Sequence, residues 1–429
     1  MMLSREDNEL LVRVGPQTAM GELFRRFWTP VMLASEIGGP DSAPVRVNIL
    51  GEKLVAFRDT AGTIGLLDAY CPHRRANLYW GRNEQHGLRC VYHGWKFDVS
   101  GQCTDLPNCP EGETLKNRVR TQSYPTLERG GLIWAYLGPA ELIPPFPNYE
   151  CFGVPAGHRY IRKIIAKGNY LQLMEGDVDS SHVSFLHSRI DNTPIPGVRA
   201  NPNTFADRMP RWFPEETDYG LMLAAQRNAG PEHYQWRVNQ FLMPYITQIA
   251  TPIGLPIQHQ VRAPIDDETS MHFRCYIHPD RPLTADEIAT FENGFLVPEL
   301  IPGTFETKEN MANEYLIDRE DQRTSTYTGI KSILAQDLAV TQDQGGGWIA
   351  DRSREYLVSS DRAIILLRKR LLAPLKALQQ GIEPQEPRNA HAFAVRPGDF
   401  LLPRDVALAD GVRDNRLVGA GAAAAGSPQ

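Results

Sequence analysis

The chain has 429 residues, 42 % hydrophobic and 22 % charged, an ordinary globular composition at a length of about two to three domains. Forty-five basic against 51 acidic residues leave a formal charge of −6, which argues against a nucleic-acid partner. No run approaches the ~20 apolar residues of a membrane span. The opening M-M-L-S-R-E-D-N-E-L-L is too acidic for a secretory signal, so a soluble cytoplasmic protein is expected.

Ser4 is placed to cap a helix that opens Arg5-Glu6-Asp7 and carries Leu10, Leu11 and Val14 before Gly15-Pro16 stops it. A second helix is expected from about Ala19 to Trp28, ending before Pro30. From Val45 the period becomes that of strands, over 45–50 and 53–58 around Gly51, and short β segments continue to about Gly138. Pro144, Pro145 and Pro147 mark a linker. Beyond it, residues 160–166 read as a strand and about 169–187 as a helix. Residues 234–253 and 271–277 read as strands, and 351–378 as strongly helical. After about Asp405 aromatics vanish and the chain ends G-A-G-A-A-A-A-G-S-P-Q, the composition of a disordered tail. The class is α+β, with expected divisions into N-terminal helices (1–44), an all-β domain (45–150), a larger domain of sheet and helices (151–400) and a disordered tail (401–429).

Six cysteines are too few for a disulfide framework in a chain of this length. Cys151 and Cys275 stand alone and read as small buried hydrophobes; Cys103 and Cys109 read as structural, and His86 as an exposed loop residue. The remaining two form a pattern: Cys71-Pro-His73, sixteen residues, then Cys90-Val-Tyr-His93. Two thiolates and two imidazoles could hold a structural zinc. They also suit a Rieske [2Fe–2S] cluster, in which two Cys hold one iron and two His the other. The short Cys-x-His spacing and the flanking β segments favour the cluster.

C-P-H-R and C-V-Y-H-G-W, with Trp95, resemble the Rieske domain of ring-hydroxylating oxygenases. The respiratory type differs in having an extra Cys in each loop, and neither loop here has one.

A cluster domain needs only about 100 residues, and the rest of the chain contains Asp179-Ser-Ser-His182-Val-Ser-Phe-Leu-His187. On a regular helix Asp179 and His182 are neighbours, but His182 and His187 diverge by about 140°. A bulge or bend near 183–186 would bring the two imidazoles together. With Glu175 and Asp179 beside them they look like half of a 2-His-1-carboxylate iron site. A third ligand is offered by Asp337, in the middle of the apolar stripe of Ile330, Ile333, Leu334 and Leu338, a costly place for an unpaired carboxylate. A salt bridge to a basic neighbour such as Lys331 is the other reading, and Asp343 falls on the opposite face.

The motif N-Y-L-Q-L-M-E-G-D-V-D-S-S-H-V-S-F-L-H and the stretch D-R-S-R-E-Y-L-V-S-S-D-R-A-I-I-L-L-R are similar to the branch of Rieske non-haem iron oxygenases containing phthalate 4,5-dioxygenase and aryl-ether O-demethylases. The resemblance covers roughly residues 20 to 385. It implies an antiparallel catalytic sheet flanked by helices, and one [2Fe–2S] cluster and one mononuclear Fe(II) per chain. His182, His187 and Asp337 would hold the Fe(II). Asp179 would be the carboxylate linking a cluster histidine, His93 by resemblance, to an iron histidine. Glu175, where several members carry Asn, is the second catalytic candidate. A homotrimer is implied as well.

The chain has no G-x-G-x-x-G nucleotide loop and no plant-type ferredoxin spacing, so a separate NAD(P)H-dependent reductase or ferredoxin is expected to supply electrons. The expected reaction is O2-dependent oxidation of a carboxylated aromatic. O-demethylation of a methoxylated aromatic acid is the alternative, and a Rieske electron carrier or a zinc-stabilised binding module are readings from other classes. Arg237, in Y-Q-W-R-V-N-Q-F-L, is the first candidate for the substrate carboxylate; Arg208, Arg211 and Arg227 are weaker ones.

Overall fold

Two-residue turns organise the first part of the computed structural model, which describes residues 3–110, 114–191, 193 and 201–417. Leu50 and Gly51, both at positive φ, join Val45–Ile49 to Glu52–Arg58, as a tight hairpin requires. Gln85 and His86, also at positive φ, join Arg82–Glu84 to Gly87–Arg89, so His86 is an exposed turn residue. The first hairpin is completed by Ile64–Asp68, and the second by Lys96–Phe97 and Cys103–Asp105. A third sheet pairs Trp28–Leu33 with Leu132–Tyr136 and that with Thr126–Arg129.

Two compact units divide the chain, Val14–Pro144 and the segments on either side of it. This differs from the expected division. The helix at Arg5–Val12, capped by Ser4 as its sequence suggests, belongs with the larger unit: Asn169 Nδ2 donates to Val12 O and Tyr170 Oη to Leu11 O. The second helix stops at Phe24, and Trp28 opens a strand because its neighbours pair with Leu132–Tyr136. The core of the smaller unit comprises Val55, Phe57, Leu67, Leu78, Leu88 and Phe97 packed against Cys71, Cys90 and Cys103, with Cys109 at its margin.

The larger unit is built on an eight-stranded antiparallel sheet. Its order is Arg159–Lys167, Thr269–Ile277, Ile257–Asp266, Ile246–Ile249, His233–Leu242, Gly220–Ala229 and Arg211–Thr217. Gly398–Pro403 adds to His233–Leu242 beside Ile246–Ile249. On one face Met222, Ala224, Trp236 and Val238, with Phe400 and Leu402 of the added strand, are buried in one cluster with Val412 and Leu417. Residues 401–417 are therefore strand and helix instead of disordered tail: the alternation Phe400, Leu402 is what a half-buried strand needs. Residues 418–429 lie outside the described residues. Helices Tyr170–Val178 and Ile333–Thr341 pack together and, through the former, on the sheet's other face. Among the described residues no helix is long and apolar enough to cross a membrane.

Candidate active site

In the smaller unit the two Cys/His loops share one backbone pattern. Cys71 N–H donates to Ala76 O and Arg75 N–H to Cys71 O; Cys90 N–H donates to Trp95 O and Gly94 N–H to Cys90 O. In each loop the fourth residue after the Cys has positive φ, Arg75 at 57° and Gly94 at 80°. The loops thereby face His73 and His93 to each other with ring centroids 4.5 Å apart, and Trp95 stacks on His73 at 4.3 Å. Trp95 is fixed by its Nε1–H to Asn108 Oδ1.

The four side chains fit a Rieske cluster. His93 Nδ1 is buried with no hydrogen-bond partner, as an unliganded metal-binding nitrogen would be. Burial pushes the Cys71 thiol up to about 12, so the thiolate needs a metal's charge to persist near neutrality.

In the larger unit the helix Tyr170–Val178 breaks at Asp179, not within 183–186 as the spacing suggested. Two arginines from the sheet hold the break. Arg262 grips both oxygens of Asp177 at 2.8 and 2.6 Å, and Arg227 donates to Ser180 O and Oγ at 2.6 and 3.0 Å. Asp179 Oδ1 accepts from Ser181 N–H and Oγ–H, closing the turn. The chain then re-enters a short helix, Val183–Leu186, with His182 and His187 at its two ends.

This geometry brings the imidazoles together, ring centroids 5.1 Å apart. Asp337, from the helix Ile333–Thr341, places Oδ1 3.1 Å from His187 Nε2 and 3.7 Å from His182 Nε2. Three ligand atoms at about 2.1 Å from one metal on adjacent octahedral positions would stand about 3 Å apart, so the set fits a mononuclear iron. Burial alone would raise the Asp337 carboxyl, but the facing His187 holds it below the usual range. Asp179 Oδ2 faces His182 Nδ1 at 3.5 Å, too long for a good hydrogen bond. Asp343 is exposed.

Glu175 does not join this site. Its carboxylate turns away onto Arg352 (2.9 and 3.0 Å) and Arg368 (2.6 Å), and it does not line the cavity. Four residues before the break, this buried carboxylate is compensated by two guanidiniums, as a buried charge requires.

His182, His187 and Asp337 open onto a cavity of about 450 Å³, within the range of small-molecule sites. Arg237 and Asn239 reach it from the strand His233–Leu242, as the alternation with Trp236 and Val238 anticipated. Arg237 is buried; Asp399 lies directly across the ladder, 3.8 Å away, and the Arg237 Nε has no hydrogen-bond partner. Arg227 is spent on the Ser180 turn, Arg208 lies over the Phe185 ring, and Arg211 is exposed. Gln336, which accepts from His187, and Gln260, Arg274 and Tyr276 in the cavity wall were not singled out by the sequence reading. The signal for Arg274 was a charge alternating with Met271, Phe273 and Cys275.

Comparison with known proteins finds two families along the chain. Residues 27–125 match the Rieske [2Fe-2S] domain and residues 135–393 the LigXa C-terminal domain-like family. The chain is 39 % identical to the phthalate 4,5-dioxygenase oxygenase subunit of Pseudomonas putida, over 89 % of this chain and 88 % of that protein. It is 32 % identical to the 5,5'-dehydrodivanillate O-demethylase oxygenase subunit of a Sphingobium species, over 90 % and 83 %. The fold is similar to that of the NdmA QL mutant of Pseudomonas putida CBB5, solved with caffeine, at a TM-score of 0.60 and 21 % identity over 86 % of this chain and 95 % of that one. The chain belongs to the Rieske non-haem iron oxygenases, as an oxygenase subunit with a Rieske [2Fe–2S] cluster and a mononuclear iron.

Proposed function

We propose that this oxygenase oxidises a carboxylated aromatic compound and that Arg237 holds the carboxylate. The observation that carries the reading is a buried guanidinium with a free Nε opening onto the same cavity as His182, His187 and Asp337. A planar fork of donors is the natural partner of a carboxylate. Val183, Phe205, Ile249 and Leu255 supply apolar wall for a ring. Asn239, which accepts from Ala250 N–H, stiffens the strand beside Arg237.

When bound, the iron supplies O2 activation and the cluster delivers single electrons. Electrons come from a separate NAD(P)H-dependent reductase or ferredoxin. The subunit works as a homotrimer in which Asp179 links a cluster histidine of one copy to His182 of the next; its Oδ2, not engaged in the Ser181 turn, is the oxygen for that link.

Oxygen uptake by the holoenzyme with a reductase and a panel of benzoates tests this reading. Arg237→Gln is expected to raise KM for the acid by ~10-fold or more, the loss of roughly 1.5–3 kcal/mol of a charge-assisted bond, and to change little for the matching amide. Equal losses for acid and amide would overturn the role of Arg237. Formaldehyde released one-for-one with O2 from methoxylated acids would identify the reaction as demethylation instead of ring hydroxylation.

A further inference from the structure

The cavity has a second polar wall, unlike the first. Arg274, on the strand Thr269–Ile277, is 3 % exposed, and its Nε and Nη1 have no hydrogen-bond partner. Seven arginines are buried among the described residues. Arg25, Arg262, Arg352 and Arg368 are paired with carboxylates, Arg227 with Asp207 O and Ser180, and Arg237 faces Asp399. Among the described residues, Arg274 alone of the seven has no ion-pair or hydrogen-bond partner.

Its neighbours are orphaned in the same way. Gln260 is the ladder partner of Arg274, and Tyr276 lies two residues along on the same face. Gln260 Oε1 and Tyr276 Oη are both buried without a partner, and all three side chains line the cavity. A buried cation and two dipoles left unsatisfied in one spot are costly unless something else satisfies them. With neither Nε nor Nη1 engaged by the protein, the guanidinium can offer a carboxylate the pair of donors on its Nε/Nη2 edge or on its Nη1/Nη2 edge, and the tyrosine hydroxyl is a further donor.

This wall is set apart from Arg237. The ladder runs Arg274–Gln260–Thr247–Phe241, and Arg237 lies four residues before Phe241 on its strand. Both arginines therefore rise from one face of the sheet, three strands and four residues apart, roughly 14 Å across and 14 Å along between their Cα atoms.

We propose that Arg274, with Gln260 and Tyr276, holds a second acidic group of the substrate, so that the preferred substrate is an aromatic ring with two acidic groups set apart across it. This rests on the reading of Arg237 as the holder of the first carboxylate.

The test is calorimetric binding to the iron-replete holoenzyme of terephthalate, isophthalate, phthalate, benzoate and benzamide. Terephthalate or isophthalate is expected to bind at least 10-fold tighter than benzoate, and tighter than phthalate with its neighbouring carboxylates. Arg274→Gln should collapse that diacid preference to within about 2-fold, Arg274→Lys should recover part of it, and Arg237→Gln should leave the preference standing while weakening all the acids. If Arg274→Gln does not fold, Tyr276→Phe carries the test, because its ring can keep the stack on Phe291, 4.1 Å between centroids; it should cut the preference several-fold. The inference is overturned if neither separated diacid exceeds benzoate, if phthalate exceeds both, or if the Arg274 and Tyr276 variants leave the preference intact. Benzoate binding no tighter than benzamide would instead sink the Arg237 reading, and this inference with it.

Discussion

His187 is held from both sides by consecutive residues of one helix: Gln336 Oε1 accepts its Nδ1–H at 2.7 Å, and Asp337 Oδ1 lies 3.1 Å from its Nε2. Gln336 is itself oriented, since its Nε2 donates to Ile330 O. The amide oxygen therefore selects the tautomer that leaves Nε2 free for metal, a support of the kind that tunes metal histidines. Gln336→Leu is expected to lower iron affinity about 10-fold or more while the Rieske absorbance stays. Competition with a chelator measures this, and an unchanged affinity would remove Gln336 from the site.

Asp337→Ala should leave the cluster's two irons and remove the third. Asp343→Ala, at an exposed position on the same stretch of chain, should keep all three. Iron per chain, read beside the visible spectrum, decides it. Full iron in the Asp337 variant would mean that the mononuclear metal is held elsewhere.

Glu175→Gln is expected to cost stability and not specificity. The change would leave the guanidiniums of Arg352 and Arg368 buried around a neutral amide, and breaking a buried pair costs about 3–5 kcal/mol. A large fall in Tm with little change in KM for the acid should follow. A normal Tm with lost turnover would restore Glu175 as a catalytic residue.

The twin cluster loops should respond unequally to substitution. A Cβ on Gly94 would lie 2.5 Å from Pro107 Cγ, in addition to the cost of φ at 80°. Gly94→Ala should therefore disturb the second loop and bleach the cluster. Arg75→Gly, at φ 57° and exposed, relieves a left-handed residue and should keep the absorbance. Equal spectra in both variants would show that the loops do not need this conformation.

How far the site was legible depended on how local its cause is. Cys71, His73, Cys90 and His93 sit within two short loops, so their spacing alone pointed to a cluster. Asp337 was legible because a carboxylate in an apolar helical stripe is anomalous wherever the helix packs. The place of the helix break was not, because Arg262 and Arg227 impose it from strands far along the chain. The turning of Glu175 away from the cavity was not legible for the same reason: its partners lie 177 and 193 residues downstream. Arg274 needed the register of two strands before its lack of a partner could be seen. Residues 398–403 were overlooked because composition near the terminus outweighed a short alternation.

That late strand has a consequence for how selectivity could be altered. The match to the LigXa-like family ends at residue 393, yet Asp399, which faces Arg237 across the ladder, comes after it. The counter-charge of the arginine is thus delivered by the last strand of the sheet, downstream in sequence of His182, His187 and Asp337. Changes in this terminal segment therefore act on the charge around Arg237 and on the core beneath it, and a tag or truncation placed there is not an innocent handle.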